Sequence, residues 1–169
     1  DGTGVKYATI DAINGGIVKL TGNQTIAGVK TFSSDIVSNG LTVGKGGGGV
    51  STNTATGSGA LQNNTSGFNN TAYGGSTLQS NNAGYQNTAI GSGSLSLTTT
   101  GYQNTANGNA ALSNNTTGFQ NSAIGNASMF NSTTGTQNVA LGVFSGRYIA
   151  NKSTSATLLS NSVMIGYNT

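Results

Sequence analysis

The run Gly84-Tyr85-Gln86-Asn87-Thr88-Ala89-Ile90-Gly91 decides how this chain is read, because its pattern returns in phase along most of the sequence. Leading glycines stand at Gly67, Gly84, Gly101, Gly118 and Gly135, each 17 residues after the last. Three positions on comes Asn (Asn70, Asn87, Asn104, Asn121, Asn138), five on comes Ala (Ala72, Ala89, Ala106, Ala123, Ala140), and seven on comes Gly again (Gly74, Gly91, Gly108, Gly125, Gly142). A further copy precedes these with Asn53, Ala55 and Gly57. An aromatic follows the leading glycine in four copies (Phe68, Tyr85, Tyr102, Phe119), and a Leu or Met column runs through Leu61, Leu78, Leu95, Leu112 and Met129. A low-complexity disordered chain does not hold so many residue types in register, so the period argues for an ordered repeat.

A 17-residue unit is too short for two-helix repeats, and its Gly, Asn, Thr and Ser content opposes helix. The expected class is therefore all-β, a β-solenoid. Asn-Thr-Ala-Ile-Gly reads as a short strand bounded by turn formers, and the Leu or Met predicts a second short strand in each coil. Alternate strand residues face opposite sides. The Ala column is thus expected inside a narrow coil, while Ile90, Ile124, Leu141 and Ile165, with Val139 beside them, form an apolar stripe on the other face. A thin coil cannot bury such a stripe by itself, which predicts a homotrimer packed on a shared axis. Coils stacked at about 4.8 Å align equivalent residues, so Asn53, Asn70, Asn87, Asn104, Asn121 and Asn138 are expected to form a ladder of side-chain amide bonds. The aromatic ladder has two readings: stacking between coils or chains, and a platform for sugars or bases.

Composition narrows the function. The chain of 169 residues has no His, no Cys, no Pro and no Trp, and 28 glycines, more than twice the usual share of about 7%. Its three carboxylates, Asp1, Asp11 and Asp35, lie near the N-terminus, and no charged residue stands between Lys45 and Arg147. Paired-carboxylate hydrolysis, metal ligation and nucleophilic triads cannot be assembled from that span, so no catalytic, metal or cofactor residues are assigned and the expectation is a non-enzymatic protein without cofactor. Without cysteine the redox compartment stays open. The six basic residues, for a formal charge of +3, are scattered towards the ends rather than clustered with aromatics, which argues against nucleic acid. No apolar run of about 20 residues occurs, so no membrane insertion is expected, and no signal peptide is visible in this segment. A start at Asp1 and a stop just after a repeat-like motif are expected of a piece of a longer protein.

Residues 1–43 lie outside the phase and read as a β-rich segment with strands at Val5–Ile10, Gly16–Leu20, Thr25–Phe32 and Leu41–Val43. Residues 44–49 hold the run Gly46–Gly49; Lys45 is followed by Gly rather than Ser or Thr, which argues against a phosphate loop and for a flexible joint. The repeat array occupies 50–146. In 147–169 the phase breaks, since Gly166 follows Gly142 by 24 residues. This insertion carries Arg147, Tyr148 and Lys152, read either as a partner-recognition loop or as a cap.

Two stretches resemble known families. Asn161-Ser162-Val163-Met164-Ile165-Gly166 and Asn138-Val139-Ala140-Leu141-Gly142 resemble the strand motif of trimeric autotransporter adhesin heads, left-handed parallel β-rolls of three chains around a common axis. The 17-residue copies resemble the Asn-Thr-Ala-rich arrays of phage and prophage tail fibres that end in a self-cleaving chaperone domain, and Gln24-Thr25-Ile26-Ala27-Gly28-Val29-Lys30-Thr31-Phe32 is similar to a segment common in tail fibres. The longer coil, the Gly-rich entry and the lack of apolar heptads depart from the adhesin pattern and favour the fibre. The resemblance implies a homotrimeric fibre on a virion that contacts other tail or baseplate proteins and supports attachment to a host-surface glycan or protein. The alternative is the head of a bacterial cell-surface adhesin. An ice-binding solenoid, suggested by Thr99-Thr100, Thr116-Thr117 and Thr133-Thr134, is disfavoured because Asn82-Ala83 and Thr65-Ser66 interrupt the array.

Overall fold

The computed structural model describes residues 36–38, 41–147 and 160–169. The expected strands at Val5–Ile10, Gly16–Leu20 and Thr25–Phe32, the tail-fibre-like run Gln24–Phe32, and the loop residues Tyr148 and Lys152 lie outside the described residues. All described residues belong to one unit, Phe32–Thr169.

That unit is an all-β solenoid without α-helix among the described residues. Nine short strands form one sheet in chain order: β1 (Ile36–Ser38), β2 (Leu41–Gly44), β3 (Thr54–Thr56), β4 (Thr71–Tyr73), β5 (Thr88–Ile90), β6 (Thr105–Asn107), β7 (Ser122–Ile124), β8 (Val139–Leu141) and β9 (Val163–Ile165). From β3 onward every pair is parallel and in phase: Ala55 opposes Ala72, Ala72 opposes Ala89, and so on to Ala140 opposite Met164. Parallel neighbours need a crossover between them. Here the crossover is the rest of the coil, a chain of turns in place of a helix.

The N-terminal edge differs. β1 and β2 form an antiparallel hairpin, and β2 joins β3 antiparallel, with Val43 opposite Thr56 and Gly44 opposite Ala55. The expected strand Leu41–Val43 is therefore part of the same sheet as the array. Gly46–Gly49, read above as a flexible joint, is a turn packed on the first coil: the Gly47 N–H donates to Leu61 O at 2.8 Å, and a Cβ on Gly46 would stand 2.5 Å from Leu61 Cβ. Only residues without side chains allow the backbone that close.

One expectation needs correction. The Leu and Met column does not mark a second strand; each coil has a single strand. Leu61, Leu78, Leu95, Leu112 and Met129 all adopt φ of 49–50°. Left-handed conformation costs an L-residue about 1–2 kcal/mol. Full burial of a Leu returns about 1.5–3 kcal/mol, and each of these N–H groups also bonds to the next coil, as Leu95 N–H does to Ala111 O at 3.0 Å. Burial wins, and the segment stays hydrogen-bonded coil to coil while turning too sharply to be a strand.

The interior is correspondingly thin. Ala55, Ala72, Ala89, Ala106, Ala123 and Ala140 project inward from the strands and meet the Leu and Met column from the turns. A second glycine column permits this closeness. Gly91 has φ +117°, and a Cβ there would stand 2.6 Å from Gly108 O of the next coil.

Candidate functional site

The inner corner of each coil is built on the asparagines three positions after the leading glycine, all buried. Asn104 shows the pattern. Its backbone N–H donates to Asn87 Oδ1 at 3.0 Å, its Nδ2 donates to Asn87 Oδ1 at 3.1 Å and to Gly118 O at 2.8 Å, and its Oδ1 accepts from Asn121 N and Nδ2, each at 3.0 Å. Both donors and both lone pairs of the amide are thereby used. The same backbone-to-amide link runs from Asn53 through Asn70, Asn87, Asn104, Asn121 and Asn138 to Ser162. These side chains extend the inter-coil ladder past the end of each strand, a structural job that leaves nothing over for a ligand. The leading glycines follow from it: a Cβ on Gly101 would stand 2.6 Å from Gly118 O and 2.9 Å from Asn115 Nδ2.

A second inner asparagine column was not anticipated. Asn64, Asn81 and Asn115 are buried, and each Nδ2 reaches the carbonyl of the leading glycine three residues on, at 3.0–3.1 Å. Asn81 also donates to Asn64 Oδ1 at 2.8 Å. Thr98 and Ser132 interrupt this column, which hid it from a search for one conserved type. The buried Asn81 Oδ1, Thr98 Oγ1, Asn115 Oδ1 and Ser132 Oγ are left without hydrogen bonds.

The outer face of the sheet has the opposite chemistry. Each strand from β3 to β9 turns its middle residue inward and its first and third residues outward. The third residues form a row whose members oppose one another in order: Thr56, Tyr73, Ile90, Asn107, Ile124, Leu141 and Ile165. Ile90 is 40% exposed, Ile124 46% and Ile165 66%. Thus Ile90, Ile124, Leu141 and Ile165 lie outside the chain's own core, on the predicted stripe. Tyr73 belongs to that row by its place in the copy. Val43, across the antiparallel junction from Thr56, and Ile36 opposite Val43 continue it, which no period announces because these strands run antiparallel. The first-position row is Thr or Ser through Ser122 and becomes Val at Val139 and Val163, so the face grows more apolar towards β9.

Phe68, Tyr85, Tyr102 and Phe119 stack along the coils, with centroids 5.0, 4.9 and 4.7 Å apart and planes within 6°. The ring faces between them are covered, so Tyr85 and Tyr102 offer edges and not the open face that sugar stacking uses. Beside them, exposed glutamines form an amide ladder, Gln120 Nε2 to Gln103 Oε1 and Gln103 Nε2 to Gln86 Oε1, both at 3.2 Å. The Thr pairs are also used internally: Thr99 and Thr116 hydroxyls donate to Thr116 O and Thr133 O of the next coil at 3.2 and 3.0 Å.

Of the three loop residues singled out from sequence, Arg147 alone is described. Its guanidinium lies over Phe144 at 4.5 Å and Phe130 at 5.5 Å from the ring centroids. It packs against the coil. Among the described residues no group of three or more His, Cys, Asp or Glu could hold a metal, and no helix is long and apolar enough to cross a membrane. Comparisons with protein-family models, curated proteins and solved structures found no match.

Proposed function

We propose that this chain is a non-enzymatic segment of a homotrimeric tail fibre of a phage or phage-like particle, in which three solenoids pack their outer strand faces together and support attachment to the host. The carrying observation is the exposed apolar row Tyr73, Ile90, Ile124, Leu141 and Ile165 on the outer strand face, interrupted at Asn107. Soluble monomers rarely leave so long an apolar strip open to water. Sister copies are the occupants that fit. The row has one residue per coil, so an identical row on a second chain matches it step for step, and the uncharged span between Lys45 and Arg147 offers nothing to repel it. The resemblance of the copies to tail-fibre arrays supports a position for the trimer on a virion, next to other tail or baseplate proteins. Three chains on each of several fibres then turn weak contacts with a host-surface glycan or protein into firm attachment.

Native mass spectrometry tests the assembly. The expected species has three times the 16.7 kDa chain mass, and Ile90→Asp with Ile124→Asp abolishes it. A folded wild-type chain that stays single overturns the reading.

A further inference from the structure

A repeat that stacks on an axis has a register problem. Beyond β6 each coil presents a branched apolar residue at the outer position, so a neighbour displaced by one coil still meets Leu141 with Ile124 or Ile165 and loses apolar contact there only at the end. The row has one break among its later members: Asn107 on β6, exposed and set between Ile90 on β5 and Ile124 on β7. β6 is polar at its other outward position too, where Thr105 stands. Nothing inside the coil calls for this amide, since its side chain faces away from the Ala106 column.

We infer that Asn107 sets the axial register of the assembly, a reading that rests on the trimer proposed above. In register, three Asn107 amides meet at one level and satisfy each other by hydrogen bonds. Displaced by one coil, each amide is buried against Ile90 or Ile124 of a sister chain, and a buried amide without a partner is strongly disfavoured. Stagger also defeats closure. A ring of three in which each chain is one coil ahead of the last cannot join its ends, so staggered chains build open assemblies with apolar overhangs. A polar residue that fixes register at some expense of stability is a known use of such groups in other repeating interfaces.

The natural absence of cysteine makes this measurable. Chains carrying Ile124→Cys and chains carrying Leu141→Cys are refolded together and oxidised, in the wild-type background and with Asn107→Ile. With Asn107 present, disulfides are expected to join like positions, 124 to 124 and 141 to 141. With Asn107→Ile, the mixed 124–141 adduct rises by about tenfold or more, species heavier than the trimer appear in native mass spectra, and the melting temperature increases. Asn107→Gln restores the single register. A wild-type trimer whose Asn107→Ile variant keeps one register and one mass overturns the inference while leaving the trimer standing, as does a wild-type trimer already rich in mixed adducts. A monomeric wild type removes the trimer and the inference together. Retained β-sheet circular dichroism in Asn107→Ile shows that the coil itself is intact.

Discussion

Met164 fills the space that Gly146 leaves. In four copies the turn position eleven after the leading glycine carries Leu or Met, but in the last it carries Gly146, and the inward strand position that is Ala in every earlier coil becomes Met164. A Cβ on Gly146 would stand 2.9 Å from Met164 Sδ and 3.0 Å from Met129 Cγ. A large residue at the turn and a small one on the strand have exchanged places, so the volume of the core is kept where the inserted loop breaks the period.

This exchange predicts strong coupling. Met164→Ala empties a site at the end of the column and is expected to cost about 2 kcal/mol or more. Gly146→Leu alone overpacks against Met164 and also destabilises. The double variant restores the pattern of the earlier coils, since Gly146 at φ +67° already has the left-handed form that Leu112 adopts. It should recover at least ~1 kcal/mol over the sum of the single changes, read by denaturant unfolding. Additive losses would show that the two sites do not share one space.

The asparagine column should be the most sensitive polar feature. Asn104→Ala leaves Asn121 N–H, Asn121 Nδ2 and Gly118 O short of partners, which predicts a loss of about 3 kcal/mol or more. Asn104→Asp keeps the acceptors but aims a buried charge at Asn87 Oδ1 and Gly118 O, and should destabilise further at neutral pH. A thermal shift within error of wild type for either variant would refute the structural role given to the ladder.

The interrupted column offers the reverse effect. Thr98→Asn supplies an amide next to the unpartnered Asn81 Oδ1, in a place where neighbouring coils already hold Asn, and is expected to stabilise by about 1 kcal/mol. A lowered unfolding midpoint would mean that the buried space at Thr98 does not admit the longer amide.

Glycine substitution should act with opposite sign at two alanines. Ala110 sits at φ +54°, where the corresponding residue one coil earlier is Gly93 and three coils earlier is Gly59, so Ala110→Gly is expected to relieve up to ~1 kcal/mol. Ala89, inward on β5 and fully buried, loses packing and gains chain entropy as Gly, a cost of about 1 kcal/mol. Equal destabilisation of both, measured by chemical unfolding, would contradict the left-handed geometry at Ala110.

Much of the solenoid was legible in the residues because stacked copies are one another's environment. When Ala89 recurs as Ala72 and Ala106 at the same phase, a single in-register stack explains the column, and its neighbours Asn87 and Ile90 acquire their faces from strand alternation alone. The period, the inward Ala and Asn columns and the outward Ile row were therefore determined by the sequence itself. The left-handed Leu and Met turns were not, since a Leu between polar residues fits a strand equally well and only the burial available at the far side of the coil makes the unfavourable φ worthwhile. The same holds for Val43 and Ile36, brought to the outer row by an antiparallel hairpin, and for Met164 beside Gly146. Those contacts depend on where the chain path returns in space, and tertiary structure alone decides that.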